Sequence, residues 1–282
     1  MKPFLKWIGG KTQLLPEIRS RYIKSKKYCE PFIGGGAVLF DLLEENDFEE
    51  VYISDINREL CYTYFTVKEN VEELIHLLKE VENEYINSND RDGYYYNKRK
   101  EYNSFIGSEC EIMTAVDFIF LNKTCFNGLY RVNSKGLFNA ATGRYKNPSI
   151  LSDEDNLRKI SKALKKVNIV NDSFEKSYDF IDDNTFVYID PPYRKLNKAS
   201  FNRYDNSLFT DDYQVRLKSF VDSIVEKGAN VLISNSDTGD NFFDELYENY
   251  IIERVLANRR VNSKIDGRGK VSELLIRNKI NV

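Results

Sequence analysis

The tetrapeptide Asp190-Pro191-Pro192-Tyr193 contains residue types that could hold a planar amino group for reaction. It directly follows the apolar segment 186–189, which we predict to be a buried strand, and open α/β sheets bind ligands beyond the carboxyl ends of their strands. The prolines remove two backbone donors and stiffen the turn, so the Asp190 carboxylate and the Pro191 carbonyl remain as acceptors beside an aromatic ring. Two acceptors on the amino group of adenine would help this poor nucleophile attack a methyl sulfonium in line, with Tyr193 stacked on the base. The alternative interpretation is a rigid surface turn.

A glycine run in the segment 30–37 follows another predicted strand and precedes a predicted helix over 38–44. Glycines at such a place allow a ligand to approach the backbone closely. The spacing differs from the dinucleotide pattern G-x-G-x-x-G because Leu39 occupies the last position, so a dinucleotide fold is not the first choice. The run on its own is equally compatible with a tight turn.

Asp55 ends the next predicted strand, about one strand-helix unit after the glycine run. An acidic residue there can accept both ribose hydroxyls of an adenosine ligand, although an isolated aspartate at such a place is more often a helix N-cap. Nearer the start, Gly10-Lys11-Thr12 resembles the end of a phosphate-binding P-loop. The P-loop needs a glycine where Leu5 stands and a preceding strand, so we expect no nucleoside-triphosphate site.

Short segments rich in Val, Ile, Tyr and Phe predict a sheet that positions these motifs. Helical patterns lie between most of the strands and include 14–24, 38–44 and 211–227. Such alternation predicts an α/β fold with a mostly parallel sheet and helices on both faces. The predicted strands are 28–32, 51–54, 167–170, 186–189 and 230–234, with a terminal antiparallel pair at 251–256 and 271–276.

The alternation of strands and helices stops between residue 57 and about residue 166. Apolar residues recur there with a helical period from Leu60 to Leu78, a polar tyrosine-rich stretch follows at 93–97, and a further helical pattern covers 112–121. We therefore predict one domain made of residues 1–57 and 167–282, and an inserted, mainly helical domain of residues 58–166.

Composition argues against several other classes of protein. The chain has 282 residues, of which 41% are apolar, and no apolar run approaches the ~20 residues that span a bilayer. Its start lacks the pattern of a signal peptide, so we expect a soluble, cytoplasmic protein without a membrane association. The four cysteines form no C-x-x-C pair and the single histidine, His76, lies in a predicted helix. We therefore expect no metal site and no Ser-His-Asp or Cys-His mechanism.

Residues 118–152 contain no Asp or Glu, whereas the whole chain has a net charge of −3. Cations suit phosphates, Arg and Asn can read guanine and adenine edges, and aromatic residues such as Phe126 could fill the gap left by a displaced base. A solvated surface is the alternative for this segment, as it is for a second basic stretch at 259–270 that we predict to be a hairpin loop. The candidate DNA-contacting residues are Lys123, Asn127, Tyr130, Arg131, Asn133, Lys135, Asn139, Arg144 and Lys146.

Together these segments resemble the Dam-type DNA adenine-N6 methyltransferases of the α group, also called the D12 class. The order of motifs matches over nearly the whole chain: the Lys-Trp-x-Gly-Gly-Lys segment at 6–11, the Pro-Phe-x-Gly-Gly-Gly segment at 31–36, a long insert, and Asp-Pro-Pro-Tyr at 190–193. The resemblance implies a Rossmann-like sheet of seven strands with a reversed terminal pair, and a DNA-recognition role for the insert. It also implies S-adenosyl-L-methionine as cofactor, contacted by Trp7, Lys11, Phe32, Gly34, Asp55 and Asp190, while residues 190–193 hold the target adenine.

Two segments of the insert, 127–135 and 143–148, resemble the recognition loop of methyltransferases that act on GATC. The resemblance therefore implies base flipping and direct methyl transfer to adenine N6 of duplex DNA at GATC, with no obligate protein partner. It also implies that segment 171–174 is the adenine-pocket loop, while segment 234–236 is expected to line the same cleft. Two alternatives remain open: an RNA or protein-glutamine methyltransferase, and a non-catalytic DNA-binding regulator with a vestigial cofactor pocket.

Overall fold

The fold is described from a computed structural model over residues 1–151, 153–194, 210–258 and 270–279. Seven strands form one sheet in the order β3-β2-β1-β4-β5-β7-β6. Strands β1 to β5 pair in parallel, and β7 runs antiparallel to both β5 and β6. The predicted seven-stranded sheet with an antiparallel terminal pair is confirmed. The strands are β1 (Lys27–Glu30), β2 (Glu50–Asp55), β3 (Val167–Asn171), β4 (Thr185–Ile189), β5 (Asn230–Ser236), β6 (Ile251–Asn258) and β7 (Lys270–Arg277).

Helices lie on both faces of this sheet because its central strands are apolar on both sides. Along β4, Phe186 and Tyr188 belong to one apolar cluster, while Val187 and Ile189 belong to the other, as the two-residue period of a strand requires. The helices in the described ranges are α1 (Leu15–Arg19), α2 (Ala37–Glu45), α3 (Arg58–Glu69), α4 (Val71–Asn87), α5 (Arg91–Phe105), α6 (Ile112–Thr124), α7 (Glu154–Leu164), α8 (Asp211–Glu226) and α9 (Phe242–Leu246).

Helices α3 to α7 all lie in the chain between β2 and β3. Three of them begin at a side-chain cap in which an oxygen accepts a bond from a backbone N–H: Asn57 for α3, Asp90 for α5 and Asp153 for α7. Helix α6 is buried almost all round, because α3, α4 and α5 pack against it. This helical bundle forms the body from which the part of residues 118–152 that follows α6, called the basic segment below, extends.

Two of our predictions for the helical regions were wrong. The tyrosine-rich stretch 93–97, which we predicted to be a polar stretch before the next helix, is part of α5, whose Tyr95 and Tyr102 are fully buried one heptad apart. The predicted helix 14–24 is only the short α1, preceded by a 3₁₀ turn at Lys11–Gln13. It ends early because Ser20 Oγ and Arg21 Nη1 both donate to the carbonyl of Glu17, at 2.8 Å each, and so satisfy its final turn.

Within the described ranges, no helix has the length and apolar character needed to cross a bilayer. The same ranges contain no group of three or more His, Cys, Asp or Glu residues placed to hold a metal ion. His76 lies exposed on α4, where its Nε2 is 3.4 Å from a carboxylate oxygen of Glu80. The predicted hairpin loop at 259–270 falls almost wholly outside the described residues.

Candidate active site

The glycine run lies in the connection between β1 and α2, at the carboxyl edge of the sheet. Gly34 and Gly36 have φ values of +45° and +70°, which residues with a Cβ rarely adopt. A Cβ on Gly34 would also lie 2.7 Å from Nε1 of Trp7, so the indole packs directly on the glycine backbone. The shape of the loop therefore depends on the left-handed backbone of Gly34 and Gly36 and on the packing of the Trp7 indole.

Asp55 ends β2 beside this loop. Its Oδ2 accepts a hydrogen bond from the Gly34 backbone N–H at 3.2 Å, and its Oδ1 accepts one from the Asn57 N–H at 2.9 Å. Burial raises the pKa of the Asp55 carboxyl, and these backbone donors act in the opposite direction. A carboxylate has about four acceptor positions, so each oxygen keeps capacity for a further donor such as a ribose hydroxyl.

Phe32 and segment 171–174 complete the same edge. The rings of Phe32 and Phe174 stack with centroids 5.4 Å apart, and the Asn171 amide donates to the backbone carbonyls of Asp55 and Ile56 at 3.0 and 3.1 Å. The ends of β1, β2 and β3 therefore meet at one place.

Asp190 follows β4 and is held by two donors from distant parts of the chain. Lys11 Nζ donates to its Oδ2 at 2.8 Å, and Ser234 Oγ donates to its Oδ1 at 2.9 Å. The lysine is 4% exposed and the aspartate 20% exposed, so the pair is largely removed from water. Ser234 is held in turn by Tyr188, whose hydroxyl oxygen lies 2.9 Å from the serine oxygen. The carboxylate is thereby fixed in orientation while part of it stays accessible.

Tyr193, at the other end of the turn, faces the same lysine. Its ring centroid is 4.7 Å from Lys11 Nζ, and its hydroxyl donates to Glu273 Oε2 on β7 at 2.7 Å. Burial and the nearby carboxylates raise the pKa of the Tyr193 phenol, so it stays a neutral donor. The structure thus brings Trp7, Lys11, Phe32, Gly34, Asp55 and the 190–193 turn together at the carboxyl edge of the sheet.

The basic segment approaches this cleft from α6 through Trp7. The Trp7 and Tyr130 rings stack with centroids 5.7 Å apart and an interplanar angle of 22°. Asn122 pairs with the backbone of Lys6 in both directions, at 2.8 and 2.7 Å. Lys6 Nζ in turn donates to the Lys123 carbonyl at 3.2 Å. The first residues of the chain therefore connect the glycine loop to the insert.

The candidate DNA-contacting residues divide into an exposed and an enclosed group. Asn127, Lys135, Arg144 and Lys146 are exposed. Tyr130, Arg131, Asn133 and Asn139 are partly enclosed, since Arg131 Nε donates to Asn139 Oδ1 at 2.5 Å and Asn133 Oδ1 accepts from the N–H groups of Lys135 and Leu137. Lys123 is 9% exposed, and burial followed by the charge of Lys6 lowers its pKa to about 8. A hairpin with a bridge between Val132 and Phe138 carries the central residues of this group.

Sequence reasoning missed two residues next to or in contact with the 190–193 turn. Glu273 gives no signal in the sequence, because it lies 80 residues from Tyr193 and meets it only through the pairing of β5 with β7. Arg194 directly follows the motif, and that adjacency is the one feature that could have singled it out.

A parallel sheet with one reversed strand, a glycine loop after β1 and an acidic residue ending β2 define an α/β enzyme of the methyltransferase type. The chain belongs to the family of D12 class N6 adenine-specific DNA methyltransferases, whose family model matches residues 7–261. It is therefore an adenine-specific DNA methyltransferase, and the family and fold imply S-adenosylmethionine as the methyl donor.

Several curated relatives extend over nearly the full chain. The type II methyltransferase M.MjaIII of Methanocaldococcus jannaschii is 46% identical over 288 residues, covering 99% of each chain. The type II methyltransferase M1.LlaDCHI of Lactococcus lactis is 38% identical over 291 residues, covering 99% of this chain and 95% of the relative. The DNA adenine methylase of Escherichia coli is 34% identical over 275 residues, covering 97% and 94%.

Because Trp7 packs directly on the glycine loop, we predict that a side chain added to this loop weakens cofactor binding. Gly34→Ala adds a Cβ that must displace the indole, so we expect the affinity for S-adenosylmethionine to fall on the order of tenfold or more, since a contact worth 1.4 kcal/mol is a factor of ten. Calorimetric titration of the cofactor measures this change.

Gly107→Ala is the matched control, because Gly107 also has a positive φ, +84°, but has no atom within 4 Å of the added Cβ. Equal cofactor affinities of the two variants would contradict the assignment of the glycine loop to the cofactor pocket.

Proposed function

We propose that this enzyme methylates N6 of adenine within GATC in duplex DNA, after flipping the base into the cleft at the carboxyl edge of the sheet. The observation that carries the proposal is the Asp190 carboxylate, fixed between Lys11 and Ser234 at the start of the 190–193 turn. In this proposal residues 58–166 form the inserted target-recognition domain, and residues 1–57 and 167–282 form the catalytic domain.

The residues at the edge of β1 and β2 fit an adenosine-containing cofactor. Asp55 offers acceptors to ribose hydroxyls, and the left-handed Gly34 and Gly36 leave backbone accessible where a side chain would intrude. Trp7, Lys11 and Phe32 line the same space. S-adenosylmethionine bound there supplies an electrophilic methyl group on a sulfonium.

The turn 190–193 acts on the acceptor nitrogen. The Asp190 carboxylate and the Pro191 carbonyl accept the two hydrogens of N6, which orients the nitrogen and favours its pyramidal form. The Tyr193 ring stacks on the flipped base, and its hydroxyl is held by a hydrogen bond to Glu273. Direct transfer of this kind needs neither a metal nor a covalent intermediate.

In this proposal the side chain of Phe126 takes part in base flipping. This large apolar side chain is 58% exposed at a turn whose next residue, Asn127, has a φ of +57°. An exposed ring in a segment that also carries exposed cations is suited to enter the stack where a base has left, which offsets part of the cost of unstacking. GATC as the target is supported by the resemblance of segments 127–135 and 143–148 to GATC-specific recognition loops, and by relatives named DNA adenine methylase.

The first test concerns Asp190. Asp190→Ala removes the carboxylate acceptor, so we expect methyl transfer to DNA to fall on the order of 1,000-fold, which is far more than the change in duplex affinity. Labelled-methyl transfer and fluorescence anisotropy measure the two quantities, and Asp190→Asn tests whether a near-isosteric side chain gives the same loss.

Asp183→Ala is the control, since Asp183 is an exposed carboxylate just before β4. Near-normal turnover in both Asp190 variants would refute the assigned role. Cofactor binding by the unmodified protein without any transfer would favour the non-catalytic regulator, and preference for RNA over duplex DNA would favour the RNA alternative.

The second test concerns the exposed lysines of the insert. Lys135 and Lys146 are exposed, and each phosphate contact contributes about one counterion to the salt dependence of binding. We expect Lys135→Ala and Lys146→Ala each to reduce the slope of log affinity against log salt by about 1, independently of DNA sequence.

Lys162→Ala serves as comparison because Lys162 is exposed on α7, away from the basic segment. If the slope of log affinity against log salt is unchanged in all three variants, residues 118–152 do not belong to the proposed DNA interface.

A further inference from the structure

Arg194 directly follows the 190–193 turn and is unusually enclosed for an arginine. Its side chain is only 14% exposed, and it contacts three groups at once. Nε and Nη2 donate to the two oxygens of Asp211 at 2.7 and 3.1 Å, and Nη1 donates to Asp240 Oδ2 at 2.5 Å. The guanidinium also lies 4.0 Å from the ring centroid of Phe242. These contacts use the planar, forked geometry that only arginine offers.

The partners of Arg194 come from two elements that flank the cleft. Asp211 is the first residue of α8, and Asp240 lies between β5 and α9, where Thr238 Oγ1 donates to its Oδ1 at 2.6 Å. Hydrogen bonds from Thr238 and then Arg194 hold the pKa of Asp240 below its usual range, and the hydrogen bonds from Arg194 do the same for Asp211. Both carboxylates are therefore ionised at neutral pH and hold the guanidinium from two sides.

The inner and outer ends of the turn are held differently. Asp190 at the inner end has Lys11 and Ser234 at 2.8 and 2.9 Å. Between the ends, Gln214 Nε2 lies 3.5 Å from the Pro192 carbonyl oxygen, which is too long for the contact to contribute much. Arg194 therefore contributes strong polar contacts at the outer end of the turn, as Lys11 and Ser234 do at the inner end.

We propose that Arg194 is a positioning residue for methyl transfer, whose contacts with Asp211, Asp240 and Phe242 fix the outer end of the 190–193 turn. This inference rests on the proposed role of that turn in holding the target adenine. The ring of Tyr193 has to keep its plane and height against the base, and its bond to Glu273 restrains only the hydroxyl. Arg194 restrains the backbone on which the ring is mounted, so its loss lets the ring shift while both binding sites stay formed.

A second arginine, Arg158, serves as a control that distinguishes a positioning role from a general contribution to stability. Arg158 on α7 makes a similar two-bond contact with Glu72 on α4, at 2.7 and 2.9 Å, but is 40% exposed. It lies in a helix pair outside the cleft. Exposed ion pairs contribute little to stability, so Arg158→Ala reports what the loss of such a pair does without any effect on the turn.

The test measures the single-turnover rate of methyl transfer with enzyme in excess and with cofactor and duplex saturating. For Arg194→Ala we expect a loss on the order of 100-fold, and for Arg194→Lys a loss on the order of tenfold, because an ammonium keeps the charge but not the forked contact. Cofactor and duplex affinities should stay within threefold of the unmodified enzyme. Arg158→Ala should retain the rate.

A duplex with 2-aminopurine in place of the target adenine reports independently on whether the Tyr193 ring stacks on the flipped base. The flipped fluorophore is quenched when it stacks on Tyr193, so Arg194→Ala should give brighter complexes than the unmodified enzyme. Rates within twofold of normal in both Arg194 variants would overturn the inference. A loss of rate that is accompanied by equal losses of cofactor affinity and of the folded fraction would also overturn the inference. Asp190→Ala in the same assay tests the proposed function separately, since its retention of activity would overturn that function and not merely the role of Arg194.

Discussion

The ion pair between Lys11 and Asp190 is the contact on which the arrangement of the cleft depends. It joins the first residues of the chain to the end of β4, across 179 positions of sequence, in a place that is nearly closed to water. Removing either partner would leave an uncompensated charge in a poorly hydrated site, which costs far more than the loss of an exposed pair. The pair therefore fixes both the acceptor carboxylate and the path of the N-terminal segment over the sheet.

Trp7, in the same N-terminal segment as Lys11, connects this ion pair to two other parts of the molecule. The indole packs on Gly34 on one side and stacks on Tyr130 of the basic segment on the other. The glycine loop, the 190–193 turn and the proposed DNA interface thus all contact one short segment, residues 6–11. A displacement of that segment would therefore move side chains in all three places.

The sheet could be predicted from sequence because its strands are apolar on both faces and stand out from their surroundings. The motif residues could be predicted for a related reason: Asp55 and Asp190 end parallel strands, whose carboxyl ends meet at the same edge. Ser234 lies two residues before the end of such a strand, and its segment was expected to line the cleft. Its bond to Asp190 follows from the neighbouring positions of β4 and β5 in the sheet.

The features that escaped prediction depend on contacts between distant parts of the chain. Helix α5 has few aliphatic residues, and its buried tyrosines become an apolar face only against α6. The partners of Arg194 and Tyr193 lie on α8, before α9 and on β7, where spacing in sequence carries no information about distance. Lys123 was predicted from its charge alone, whereas its burial and lowered pKa follow from the packing of α6.

The central claim is that adenine N6 within GATC is the methyl acceptor. The most direct measurement is transfer of labelled methyl from S-adenosylmethionine to two short duplexes, one with GATC and one with N6-methyladenine at that site on both strands. The account predicts label in the first duplex and none in the second. Equal labelling of both would contradict adenine N6 as the acceptor. Label in neither, with labelling of a random-sequence pool, would contradict GATC as the target.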